Sequence, residues 1–266
     1  MKLTFLGTGT SCGVPVIGCQ CEVCRSTDPH DKRLRCSALV ETHSTRLLID
    51  CGPDFREQIL TQPFRKIDGI LITHHHYDHV GGMDDLRPYC RFGDIDVYAD
   101  ETSARNIRHN MPYCFVENKY PGVPSINLNV VRPHESFQIG DLGIMPFTVM
   151  HGTLPILAFR ITEKTSQTLQ TSHPLHSLTY ITDMKTIATS ELPYATGSDI
   201  LVVNALRFTK PHHSHMLVDE AIDFIRRTKI PQAYLIHSCH DIGLHQEVNR
   251  LLPSDIQLAH DGMVVE

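Results

Sequence analysis

No apolar run in this chain approaches the length of a membrane span. Met1-Lys2-Leu3-Thr4-Phe5-Leu6 meets Gly7 at once, with no h-region of a secretory signal, so the expectation is a cytoplasmic protein with no membrane partner. Basic charge is not in excess. The 24 Lys and Arg against 30 Asp and Glu give a net charge of −6, which argues against a nucleic-acid surface. Long Gly/Ser stretches, charge blocks and internal repeats are also missing. With 266 residues and 41% hydrophobic content, the chain reads as a single α/β domain over residues 1–266, large enough to be two fused halves.

What the chain does have is histidine, 18 in all, and the densest stretch is Thr73-His74-His75-His76-Tyr77-Asp78-His79. The run Gly69-Ile70-Leu71-Ile72-Thr73 before it is apolar and β-branched, the pattern of a buried strand. Val80-Gly81-Gly82 after it lets a helix pack close to the sheet. The ligands therefore lie on a loop leaving the C-terminal end of a strand, where α/β proteins place chemistry. Side chains alternate along an extended chain, so His74 and His76 share a side and His75 is a bystander. Asp78 and His79 follow the bend and can face a second metal. One loop thus supplies ligands for a pair of ions, the usual arrangement for metal-assisted hydrolysis.

Nine cysteines in a reducing compartment point to metal rather than disulfides. Cys19, Cys21 and Cys24 form C-x-C-x-x-C, which suits a tetrahedral structural zinc that needs a fourth ligand. His240 is the best candidate, with Cys239 as its competitor. Such a zinc ties the N-terminal loop to the loop carrying His237. Cys12, Cys36, Cys51, Cys90 and Cys114 have no ligand spacing and read as buried packing residues. Residues 111–126, with Pro112, Pro121, Gly122 and Pro124, lack strand or helix pattern and suggest a lid or a partner surface. Residues 164–177 read as a polar loop, with His173 and His176 solvated.

THHHYDHVGG resembles the T-H-x-H-x-D-H-x-G-G pattern of the metallo-β-lactamase superfamily. Three later motifs extend the likeness: strand then His in Phe147–Gly152, strand then Asp in Leu178–Asp183, and strand then His in Ala233–His237. The resemblance implies an α/β fold, the four-layer αβ/βα sandwich. It also implies that His74, His76 and His151 hold one metal, that Asp78, His79 and His237 hold another, and that Asp183 bridges them. The opening Phe5–Pro15 is similar to the L-G-T-G-x-x-x-G-V-P start of the phosphodiesterase branch, which includes tRNase Z and the PhnP-like cyclic-phosphate phosphodiesterases. C-x-C-x-x-C with a His just after the last active-site His looks like the PhnP-like group. So does Leu47–Gly52, whose Asp50 would hold the ligand loop.

His215 lies in Pro211-His212-His213-Ser214-His215, ahead of an amphipathic helix expected over Met216–Arg227. In this branch a His at that place contacts the substrate phosphate and can protonate the leaving oxygen, with His212 and His213 as competitors for the role. The function implied is a metal-dependent phosphoric diester hydrolase. It cleaves a small phosphodiester or cyclic phosphate by attack of a metal-bridging hydroxide, with Asp78 or Asp183 able to accept a proton. The cofactors implied are manganese or zinc for the pair and zinc for the cysteine site. The resemblance also admits a homodimer. Three alternatives share parts of the pattern. A tRNase Z-like nuclease would need a Gly/Pro-rich arm that is not visible. A thioesterase or lactonase of the glyoxalase II type starts differently. A non-catalytic PqqB-like protein often loses ligands that are all present here.

Overall fold

The computed structural model describes residues 1–164 and 175–266. Most of the expected loop 164–177, His173 included, lies outside the described residues.

The first half of the chain builds one sheet from β1 (Lys2–Gly7), β2 (Ser37–Glu41), β3 (Arg46–Ile49), β4 (Gly69–Leu71), β5 (Ile95–Ala99) and β6 (Ile126–Val130). The second half builds another from β7 (Phe137–Ile139), β8 (Leu142–His151), β9 (Leu154–Glu163), β10 (Ser177–Ile181), β11 (Ile200–Asn204), β12 (Gln232–Ile236) and β13 (Ile256–Leu258). A last strand, β14 (Val264–Val265), returns to pair with β1. Each sheet changes character midway. β1, β2 and β3 run antiparallel, and β3 to β6 then run parallel. In the same way β7 to β10 alternate, and β10 to β13 run parallel. This repeat of design is the two-half character expected from length and composition.

Strand periodicity explains the layering. In β3, Leu47 and Ile49 face the opposite sheet, while Leu48 faces outward. In β12, Tyr234 and Ile236 face inward, and Ala233 and Leu235 face outward. The inner faces meet in one core containing Leu3, Phe5, Val40, Phe159, Leu178 and Tyr180. The outer face of the first sheet is covered by α2 (Phe55–Leu60), a 3-10 turn over Met83–Phe92 and α4 (Glu101–Asn110). The outer face of the second is covered by α5 (Val218–Thr228), through Ala221, Phe224 and Ile225. Helix, sheet, sheet, helix is the sandwich the sequence motifs imply. Three short helices, α1 (Glu22–Arg25), α3 (Tyr77–Val80) and α6 (His245–Leu251), sit in the loops. Among the described residues no helix is long and apolar enough to cross a membrane.

Several local expectations need correction. The helix expected over Met216–Arg227 begins at Val218, because the Leu217 amide is already capped by Glu220 Oε2 at 2.7 Å. Cys12 is exposed and Cys90 half-buried, so only Cys36, Cys51 and Cys114 of that group are buried packing residues. Cys12 sits in a surface turn closed by Gly13 N–H to Thr10 O. Residues 111–125 are irregular apart from a 3-10 turn at Pro112–Cys114. They are pinned to the Met83–Phe92 turn by Tyr113 Oη to Asp84 (2.9 Å) and Arg87 to Gly122 O (3.4 Å).

Candidate metal centres

Every strand-end motif delivers its side chain to one place. His74, His76 and His151 bring ligand atoms within 4.8 Å of one another, and so do Asp78, His79, Asp183 and His237. His74 and His76 follow β4, His151 ends β8, Asp183 follows β10 and His237 follows β12. Three non-glycine residues here adopt left-handed backbone: Asp50 (φ 59°), Asp183 (φ 55°) and His237 (φ 56°). Each immediately follows a strand or lies two residues beyond it. The left-handed turn aims the side chain across the sheet edge instead of along the ladder, at a cost of order 1 kcal/mol per residue.

The hydrogen-bond network sets which nitrogen of each ring faces the cavity. Asp50 Oδ2 accepts from His79 Nδ1 at 2.7 Å and from the Thr73 hydroxyl at 2.8 Å, and Asp50 Oδ1 accepts from the Thr73 amide at 2.8 Å. With its proton given to Asp50, the Thr73 oxygen is the acceptor for His74 Nδ1 at 3.1 Å. Asp50, fully buried, therefore orients His79 directly and His74 through Thr73. His151 Nδ1 donates to Asp183 O at 2.8 Å and lies 3.1 Å from Ser214 O. In all three rings Nε2 is the nitrogen that faces the cavity, and although burial opposes a charge on His79, Asp183 and Asp50 raise it well above the usual imidazole range. His75 belongs to neither cluster, as expected.

The carboxylate of Asp183 spans the two clusters. Its Oδ2 lies 3.8 Å from His74 Nε2 and 3.9 Å from His151 Nε2. Its Oδ1 lies 3.0 Å from His237 Nε2 and 3.5 Å from His79 Nε2. Asp78 Oδ2 completes the second set, 3.3 Å from His79 Nε2 and 3.6 Å from His237 Nε2.

Divalent cations fit this donor set. His74 Nε2 and His76 Nδ1 are 3.0 Å apart, and a proton between them would have to come from His76 Nδ1. Among the described residues His79 Nε2 and His237 Nε2 are buried without a hydrogen-bond partner. Buried nitrogens converging on carboxylate oxygens are satisfied by a shared cation. Electrostatics point the same way. Burial works against the charge of Asp183, yet His237 and His79 hold its carboxyl well below the usual range. Burial likewise opposes Asp78, and the nearby rings of His237 and His79 overcome it, holding it below its ordinary value. Burial, and then the charge of His79, push His74 well below the usual imidazole range.

His215 lies beside both sets, with His151 and Asp183 within 4.8 Å of its ligand atom. Its ring centroid is 4.8 Å from those of His151, His212 and His237. Burial, then the charge of His237, lower it to about 3, so it stands neutral before substrate enters. His212 lies tilted against it, stacks on the exposed His213 and is tied to Ser214. Position therefore favours His215 among the three. The helix N-terminus expected behind it is not free, because Glu220 occupies the first amide and pairs with Lys185 at 2.7 Å.

At the cysteine cluster Cys19, Cys21, Cys24 and His240 come within 4.8 Å of one another. His240 Nδ1 is 3.2 Å from Cys21 Sγ and 3.5 Å from Cys19 Sγ. Among the described residues Cys239 joins no ligand group, and burial pushes its thiol up. The Cys24 amide, and then His240, lower Cys21 to about 6, while burial raises Cys24 to about 11. A part-ionised thiol beside an imidazole is a ready soft ligand set. Sequence reasoning missed Ser214, whose carbonyl faces His151, and Thr73 as the link to Asp50. Thr73 was inside the quoted motif, but nothing in the sequence marks Ser214.

Two facing mixed sheets with a double His/Asp cradle at one edge define a metallo-β-lactamase-fold hydrolase architecture. Residues 45–238 match the beta-lactamase superfamily domain. The chain belongs to that superfamily and, within it, to the PhnP family. The crystal structure of a diphosphatase of the PhnP family is 38% identical, covers 99% of this chain and 96% of its own, and superposes with a TM-score of 0.87. An octanoyltransferase from Porphyromonas gingivalis is 43% identical over 264 residues, which is 99% of this chain but 51% of that protein. A ribonuclease Z from Methanopyrus kandleri is 29% identical over 137 residues, 50% of this chain and 46% of that one. The chain thus spans about half the length of these two curated relatives.

Proposed function

We propose that this chain is a dinuclear metal-dependent phosphodiesterase acting on a small phosphodiester or cyclic phosphate. The observation that carries the reading is Asp183, whose two oxygens face two separate ligand sets while His215 stands over both. Divalent ions bound there, manganese or zinc, would polarise the phosphate oxygens and lower the pKa of water toward neutrality. His74, His76 and His151 would hold one ion, and Asp78, His79 and His237 would hold the other, with Asp183 between the two sets. Asp50 would hold His79 through Nδ1, and His74 through Thr73, so that Nε2 of each ring faces its ion. His215, neutral in the resting site, donates its ring N–H to a phosphate oxygen. The bound anion raises its pKa, and once the ring has taken up a second proton from solvent the imidazolium can give one to the departing alkoxide and return to neutral. Asp78 and Asp183 are ligands whose free lone pairs can take the proton that water gives up. Zinc in the cysteine set joins the 19–24 loop to His240, three residues past His237. Residues 1–266 are read as one domain, whose net charge of −6 favours a small substrate over RNA.

The test is hydrolysis of bis(p-nitrophenyl) phosphate by metal-free protein reloaded with manganese or zinc, with Asp183→Ala as control. Metal-dependent turnover that disappears in the variant supports the reading. No turnover despite two bound ions overturns it. One observation favours a second reading, hydrolysis of an acyl thioester or ester: the 43% identical relative is named an octanoyltransferase. Octanoyl thioesters in the same assay decide between the two.

A further inference from the structure

We infer that Asn204 is a positioning residue for the bridging carboxylate of Asp183. The inference rests on the two-ion reading above. Asn204 ends β11 and is fully buried. Its Oδ1 accepts from the Met184 amide at 2.7 Å, and its Nδ2 donates to the Met184 carbonyl at 3.0 Å. The parallel ladder of β10 and β11 ends with Ile181 opposite Val203. Beyond it the chains part, and the carboxamide of Asn204 spans the gap as a stand-in for a strand backbone. A carboxamide alone among side chains of this size offers an acceptor and a donor together in peptide-like geometry.

The consequence falls on Asp183. The Met184 amide belongs to the peptide unit that joins Asp183 to Met184. Its N–H is held by Asn204, and its carbonyl, Asp183 O, accepts from His151 Nδ1 at 2.8 Å. One peptide plane is therefore gripped from both sides. That grip sets ψ of Asp183 in a left-handed conformation (φ 55°) that the residue does not prefer. The same plane couples a ligand of the first set, His151, to the carboxylate shared with the second. Loosening Asn204 lets Asp183 relax and its two oxygens lose their separate aims.

The experiment compares the wild type with Asn204→Asp and Asn204→Ala. The first keeps the acceptor for the Met184 amide and loses the donor. The second leaves room for water to satisfy both groups. Hydrogen exchange of the Met184 amide is measured in metal-free protein, and manganese-loaded protein is examined by titration and by electron paramagnetic resonance for a spin-coupled pair. The expected result is faster Met184 exchange in Asn204→Ala, weaker coupling, and second-ion affinity lower by about tenfold or more in both variants. Zinc in the cysteine set stays unchanged, which reports an intact fold. If Asn204→Ala does not fold, Asn204→Asp carries the comparison. Unchanged coupling and affinity with only a lower melting temperature would make Asn204 a plain structural residue and overturn the inference. A wild type without a coupled pair fails at an earlier step, because it sinks the two-ion reading itself.

Discussion

At the scale of single residues, Asp50 shows how one buried carboxylate serves two clusters of candidate ligands. It accepts three hydrogen bonds, from His79 Nδ1 and from the amide and hydroxyl of Thr73. In Asp50→Asn, one of those donors must face an NH2 group. Either Thr73 loses its partner or His79 moves its proton to Nε2 and turns a donor toward the metal. Asn tolerates the left-handed backbone at this position (φ 59°), so the backbone is spared and the chemistry is isolated. The expected outcome is a loss of metal affinity of about 10- to 100-fold with a retained fold, read by metal titration and circular dichroism. Equal affinity in the variant would remove Asp50 from the metal centre. The residues of both clusters were legible in the sequence because they are His and Asp at strand ends, and such residues cannot hide among apolar neighbours. Ser214 and Asn204 were not legible. One acts through its main-chain carbonyl, and the other meets Met184 20 residues back in the chain.

At the scale of elements, the site depends on how tightly its loops pack. A Cβ on Gly82 would meet Gly52 O at 1.9 Å, and one on Gly52 would meet Asp78 O at 2.1 Å. The α3 turn that carries Asp78 and His79 therefore lies against the loop that carries Asp50, with backbone on both sides. Gly82→Ala must push the two apart, with a destabilisation of about 2 kcal/mol or more in urea unfolding and weaker metal binding at the Asp78 set. A variant as stable as the wild type would contradict so close an approach. The cysteine loop is the second element under test. Cys21→Ser removes the sulfur nearest His240, so zinc retained by manganese-exchanged protein after gel filtration should be lost, with a lower melting temperature. Full retention of zinc would send the fourth-ligand question back to other residues. Strands were read well, since apolar alternation is local. Helix starts were not. Leu217 is capped by Glu220 rather than by a side chain preceding it, so no capping residue marked the start at Val218.

At the scale of the whole molecule, the two halves are tied together beneath the site by a network that sequence reading did not reveal. Asp261, at the end of the chain, accepts from the Thr8 hydroxyl at 2.7 Å and from the Leu34 amide at 2.6 Å. Buried Arg33 donates to Thr8 Oγ1 and to Ala259 O, both at 2.7 Å. Thr8 O in turn receives the Ser238 amide, next to His237. Burial raises Asp261 to about 6, although the Leu34 amide, Thr8 and Arg33 oppose the shift. The folded protein therefore keeps a proton between about pH 4 and pH 6 that the unfolded chain has released. Stability from this group is highest below that window and falls as pH rises through it, by at most about 3 kcal/mol. Asp261→Asn cannot titrate. It gives up a hydrogen bond, since its NH2 must face Thr8 or Leu34, so it is less stable than the wild type at low pH. Raising the pH should shrink that deficit, because only the wild type acquires the penalty of a charged, enclosed carboxylate. Protonation of the metal ligands alters both proteins alike and cancels in the difference. Urea unfolding of the pair at pH 4.5 and at pH 7 reads the effect directly, and a deficit that stays constant or widens with pH would mean that Asp261 is already ionised across the window.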